Sequence, residues 1–180
     1  MFFLLAGIFL LPKGILIAAK TLKKHLERIL KMNDTQKLLE FIYKNAEMGR
    51  KTVDPIKNMN RDSKFQTVLD RMNSDYEEIC AEADEMLKET GVSEASGLNI
   101  GEKMMTEMSL RFSTMMDKTV PHLADMLLKG ASMGVTDISK KLDECKNASE
   151  GAVRLANRLL KMNNDTIDEM KQFLTATTEA

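Results

Sequence analysis

The sequence predicts an all-α chain, a bundle of amphipathic helices running from about Asp34 almost to its end. Three observations predict it. Apolar residues recur at steps of three and four along five segments, the spacing that lines one side of a helix. No segment alternates apolar and polar residues in the period of two that marks a half-buried strand. Punctuation is sparse: 180 residues hold nine glycines, three prolines, fifteen methionines and no tryptophan, the composition of long helices around an adaptable core.

Residues 1–31 form a separate N-terminal segment. Met1 to Ala19 is strongly apolar, but Pro12, Lys13 and Gly14 divide it into runs of eleven and five residues, where a spanning helix wants about twenty. Lys20, Lys23, Lys24, His25, Arg28 and Lys31 follow, and the positive-inside rule would place what comes next in the cytoplasm. Two readings stay open. The segment is a membrane anchor, or translation starts at Met32, directly before the helix-capping run Asn33, Asp34 and Thr35. Secretion is disfavoured, because neither a basic n-region nor a small-residue cleavage site is evident.

Residues 32–175 are expected to be the helical domain. A first helix from Asp34 to near Met59 carries Leu38, Leu39, Ile42, Ala46, Gly49, Val53 and Ile56 on one face. Asp62 or Ser63 caps a second, whose inner face reads Phe65, Val68, Leu69, Met72, Tyr76, Ile79, Cys80, Ala83 and Leu87 and which ends at Gly91. Val92 to Asn99 reads as a linker, and Ile100 to Met116 as a shorter Met-rich helix that fills core more readily than it binds a partner. Pro121 opens a helix that carries Leu123, Met126, Leu127, Ala131, Gly134, Val135, Ile138 and Leu142. A last helix, from about Ala148, carries Val153, Ala156, Leu159, Leu160, Ile167, Met170 and Leu174, and residues 176–180 are a frayed tail.

Composition excludes several functions. Lys and Arg number 26 against 27 Asp and Glu, so no excess of positive charge suits nucleic acid. The two cysteines, Cys80 and Cys145, fall among apolar neighbours and read as reduced, buried thiols of a reducing compartment. No Gly-flanked nucleophile, phosphate loop or nearby Cys and His pair supports an enzyme.

A weak internal repeat is also present. Ala46-Glu47-Met48-Gly49 matches Ala131-Ser132-Met133-Gly134, an offset of 131 minus 46, or 85. Asp70-Arg71-Met72 matches Asn157-Arg158-Leu159 at 157 minus 70, or 87. Two equivalent helical hairpins are expected, the second with a turn two residues longer. Gly49 and Gly134 should lie where two helix backbones approach closely, since a glycine in a helix interior otherwise costs about 1 kcal/mol.

With Tyr43-Lys44-Asn45-Ala46-Glu47-Met48-Gly49 and His122-Leu123-Ala124-Asp125-Met126, the stretch from about Asp34 to Leu174 resembles the ferritin-like superfamily, in particular small bacterial four-helix proteins, some from Firmicutes. The resemblance implies an antiparallel bundle of four main helices. It also implies where a metal would sit, because diiron members use one Glu from each of two helices and a Glu-x-x-His pair from each of the others. Glu47 matches the lone Glu of the first helix, and Asp75 with Glu78 has the i, i+3 spacing of the second, with Glu78 in place of histidine. The repeat puts Ser132, Met162 and Asp165 in the other half, so the ligand set is incomplete. His122 is the domain's candidate histidine, able to join Glu47 or to pair with Asp125 at i, i+3. Asn163, near the inner face of the last helix, should find a hydrogen-bond partner or set register.

The leading expectation is therefore a non-catalytic, cofactor-free, ferritin-like bundle in the cytoplasm, acting as a homo-oligomer or a protein-interaction module. Two alternatives stand beside it. One is an iron or other divalent-metal protein built on Glu47, Asp75, Glu78 and His122; the other is an adaptor held at the membrane by residues 1–31.

Overall fold

The computed structural model describes residues 33–91 and 116–174, which hold four α-helices. The expected N-terminal segment, the linker, all of the Met-rich helix except Met116 and the C-terminal tail lie outside the described residues. The described residues from Asp34 onward belong to one compact unit.

Helix α1 (Asp34–Lys57) buries Leu38, Leu39, Ile42, Ala46, Val53 and Ile56. Pro55 falls in its last turn, where it has no N–H to donate backward, and the helix stops two residues later. The end tightens into i→i+3 bonds, Asn58 N to Pro55 O at 3.2 Å and Met59 N to Ile56 O at 2.9 Å. Helix α2 (Ser63–Glu89) starts at Asp62, whose carboxylate accepts from Phe65 N at 2.8 Å. It ends at Gly91, whose φ of 83° is left-handed and comfortable only for glycine.

Helix α3 (Val120–Glu144) follows Thr119 with Pro121 in its first turn, where the missing N–H deprives no carbonyl of a partner. Helix α4 (Glu150–Phe173) is capped by Ser149, whose hydroxyl accepts from Ala152 N at 3.3 Å.

The repeat extends through the burial pattern. At the offset of 85, Leu38, Leu39, Ile42, Ala46 and Val53 fall on Leu123, Ala124, Leu127, Ala131 and Ile138, and both members of every pair are buried. At 87, Phe65, Leu69, Met72, Tyr76, Ile79 and Ala83 fall on Ala152, Ala156, Leu159, Asn163, Thr166 and Met170, again buried throughout. Even the caps correspond, Asp62 with Ser149. One expectation needs correcting, for the second turn is not longer. Residues 58–62 and 145–149 are both five long, and the two extra residues extend α3 at its C-terminal end. Adding them to a helix gives their backbone groups intrahelical partners, which a longer loop would not.

Packing is most extensive within each hairpin, α1 on α2 and α3 on α4, and sparser between hairpins, where α1 meets α3 and α4 and α2 meets α4. Helices α2 and α4 run antiparallel, since Phe65 stacks edge-to-face on Phe173 at 5.2 Å while Arg158, near the start of α4, reaches Glu82 late in α2. Helices α1 and α4 begin at the same end of the bundle. There Asn147 donates to Asp34 Oδ2 through N and Nδ2, both at 3.1 Å, and Ser149 N donates to Thr35 Oγ1 at 2.8 Å.

Candidate functional site

The most distinctive chemistry lies between α2 and α4 at the centre of the bundle. Tyr76 and Asn163 are equivalent in the repeat, and they meet: the phenol donates to Asn163 Oδ1 at 3.4 Å, a long and therefore weak bond. Burial, and secondarily Asp75, pushes the Tyr76 phenol up to about 12, so it stays protonated and a donor at physiological pH. Asn163 Nδ2 and Thr166 Oγ1, one turn further along α4, are buried without a protein partner.

The two repeat glycines explain how these side chains fit. A Cβ on Gly49 would stand 2.3 Å from Tyr76 Cζ, and one on Gly134 would stand 2.8 Å from Asn163 Nδ2. The close approach expected at these positions is thus made by the side chain of the partner helix, the same in both hairpins, rather than by two backbones.

Around this centre the charges pair reciprocally. Arg71 on α2 donates to Glu169 on α4 through both terminal guanidinium nitrogens, Nη1 and Nη2, and Arg158 on α4 binds Glu82 on α2 at 3.0 Å. At the offset of 87, Arg71 corresponds to Arg158 and Glu82 to Glu169, so the two pairs are one interaction made twice. Residue i meeting j while j meets i is the mark of an isologous, twofold contact. Arg158 also holds Glu78 at 2.5 Å. Arg71, Asp75, Ile79, Arg158, Lys161, Met162 and Asp165 line a shallow cleft of about 160 Å³ here. That is well below the few hundred Å³ or more typical of a small-molecule pocket.

The candidate ligands are dispersed. Glu47 pairs with Lys51 at 2.7 Å on α1, Glu78 is taken by Arg158, and Asp75 sits half-buried in the cleft wall. His122 does not pair with Asp125. Its Nδ1 faces Asp117 Oδ2 at 3.8 Å, while Asp125 binds Lys129 at 2.5 Å. Asp117 is held in place by accepting from Thr119 N at 2.9 Å, a bond that also lowers its carboxyl below the usual range. Of the halves implied by the repeat, Ser132 donates to Leu128 O, Met162 is buried, and Asp165 binds Lys161. Among the described residues no group of three His, Cys, Asp or Glu side chains is arranged to hold a metal.

Both thiols are free, and each is pushed up by burial, Cys80 to about 11 with Glu47 adding to the effect. A thiol so raised holds almost no thiolate at neutral pH and is a poor nucleophile. Among the described residues no helix is long and apolar enough to cross a membrane.

The Tyr76–Asn163 contact is the feature that periodicity missed. Periodicity puts both residues on inner faces, and the 87 offset makes them equivalent, but neither sets one against the other. No protein-family model, curated protein or solved structure matches this chain.

Proposed function

We propose that this is a non-catalytic, ferritin-like helical bundle of the cytoplasm whose work is to hold a protein partner on the outer face of α3. The ferritin-like reading is supported by helix order: two short-turned hairpins are joined by a single long connection, 30 residues between Glu89 and Val120. A reducing compartment suits two unpaired cysteines.

The observation that carries the partner reading is the character of α3's exposed side. From Gly130 to Ser139 it holds one charge, Asp137, and Met133 stands 68% exposed. Ser132, Thr136 and Ser139 turn their hydroxyls back onto the carbonyls of Leu128, Ser132 and Val135 at 2.8–3.1 Å. Covering hydroxyls that already have partners forfeits few hydrogen bonds to water, and methionine adapts to varied surfaces. The exposed side of α4 is the opposite, crowded with Arg154, Arg158, Lys161, Asp165, Asp168 and Lys171.

A photo-crosslinking residue placed at Met133 or Thr136 in the producing cell should give a discrete protein adduct, and the same residue at Asn157 on α4 should not. Equal labelling from both helices, or none from α3, overturns the reading.

A further inference from the structure

The contact between the hairpins has the form of a contact between two copies of one object. We propose that it is also an intermolecular interface: α1 and α2 of one chain dock on α3 and α4 of a second copy, and reciprocally, giving an exchanged dimer. This inference does not depend on the outer face of α3.

Three observations carry it. The Arg71–Glu169 and Arg158–Glu82 pairs are equivalent under the repeat, so the interface is isologous in form, the commonest geometry by which soluble chains self-associate. Nothing in it requires that both hairpins come from one chain. Packing between hairpins is also sparser than within them, and the polar groups at its centre are poorly satisfied. The Tyr76–Asn163 bond is long at 3.4 Å, and Asn163 Nδ2 and Thr166 Oγ1 have no protein partner. Separating the hairpins therefore gives up less than unfolding either one, and exposes to water groups that gain by it. Finally, 30 residues separate Glu89 from Val120, against five in the turn within each hairpin.

In an exchanged dimer each bundle keeps Tyr76 against Asn163 and both Arg–Glu pairs, now donated by different chains. The charges therefore supply a test on the full chain. One variant reverses the first hairpin (Arg71→Glu, Glu78→Arg, Glu82→Arg) and another the second (Arg158→Glu, Glu169→Arg). Each alone sets like charges against like within its own chain. Together, the reversed first hairpin of one matches the reversed second hairpin of the other, and the two native hairpins match each other.

Unfolded together in equal amounts, refolded and read by native mass spectrometry, the two variants should form a mixed dimer at about tenfold over either homodimer, given several weak surface pairs acting in concert. A chain carrying all five substitutions restores its own pairs and should show the parent's stability and no preference for mixed partners. Mixed dimers at the statistical proportion would mean that association uses another face, and overturn the proposal. So would a mixture that stays monomeric, or a five-substitution chain that fails to fold, since the charges would then not meet as described.

Discussion

Where the first hairpin sets the Tyr76 ring against Gly49, the second sets the Asn163 amide against Gly134. Backbone, caps and buried positions correspond, yet the central side chains have diverged into a donor and an acceptor that can bond each other. Two tyrosines at that point would crowd the local axis, since the one ring present already fills the space of the Cβ that Gly49 lacks. The divergence has an uneven result. Hairpin one buries a fully apolar Ile79 where hairpin two buries Thr166, and of the buried side-chain atoms without a partner among the described residues, Asn163 Nδ2 and Thr166 Oγ1 lie on hairpin two and Asn73 Oδ1 on hairpin one. A shared framework thus tolerates different interiors as long as the glycine beside each is kept.

The largest way to break the equivalence is alkaline pH, because only one hairpin carries a titrating group at its centre. An unfolded tyrosine ionises near 10.0, while burial holds Tyr76 to about 12, so the folded state keeps its proton longer. The stabilisation from this difference is complete below about pH 10 and is lost as pH rises toward 12, amounting to roughly 3 kcal/mol. The chain has two tyrosines, so Tyr43→Phe leaves Tyr76 alone to be followed by ultraviolet absorbance. It should ionise near pH 12 or only on unfolding. In Tyr76→Phe the loss of urea stability between pH 10 and 12 should shrink by about 2 kcal/mol; an unchanged loss would mean that the phenol is not buried as described.

A smaller effect sharpens the same comparison from the glycine side. Alanine at position 49 would drive Cβ into a buried aromatic ring that cannot give way, whereas at 134 it meets the far end of an amide that can rotate. Overpacking less the gain in helix propensity leaves Gly49→Ala destabilised by about 2 kcal/mol, and Gly134→Ala within about 1 kcal/mol of the parent. Chemical denaturation measures both. Gly49→Ala in a Tyr76→Ala background should lose its penalty, a coupling that a double-mutant cycle reads directly. Equal penalties at 49 and 134, with no coupling to Tyr76, would remove the argument that each glycine serves the side chain opposite.

Much of this architecture is visible in the residues themselves. The apolar steps of three and four locate all four helices, Asp62 and Pro121 mark two starts, and Gly91 marks one end. The short match around Gly49 and Gly134 reveals the repeat. What periodicity hides is who meets whom across the bundle. Glu78 and Glu82 look like solvated acids on a helix face, since nothing local points to Arg158, 80 and 76 residues away. His122 likewise has Asp125 at a favourable step, but the loop before α3 brings Asp117 nearer. The carboxylates suggested as ligands by resemblance are chemically suitable at their spacing, but spacing along one helix says nothing of the cations that other positions supply. Glu47 is the exception, because Lys51 lies four residues on and its pairing is local.

The smallest difference between the hairpins lies at their caps and follows from the same repeat. Asp62 and Ser149 occupy equivalent positions, but the carboxylate accepts from Phe65 N at 2.8 Å while the hydroxyl accepts from Ala152 N at 3.3 Å. The Asp62 cap also interacts as an anion with the partial positive charge of the helix start, which a serine cannot do. Asp62 N is itself fixed by Asn60 Oδ1 at 2.8 Å, and Ser149 N by Thr35 Oγ1 at 2.8 Å, so both caps are held in place and only their chemistry differs. Asp62→Ala should therefore cost about 1 kcal/mol and Ser149→Ala about half of that, measured as shifts in urea midpoint at neutral pH. Exchanging the two, Asp62→Ser with Ser149→Asp, should move the larger cost to the second hairpin: alanine at 149 would then be the more damaging change by the same margin. If the larger cost stays at position 62, the two helix starts differ in something other than the cap, and the equivalence of the hairpins ends at their first turns.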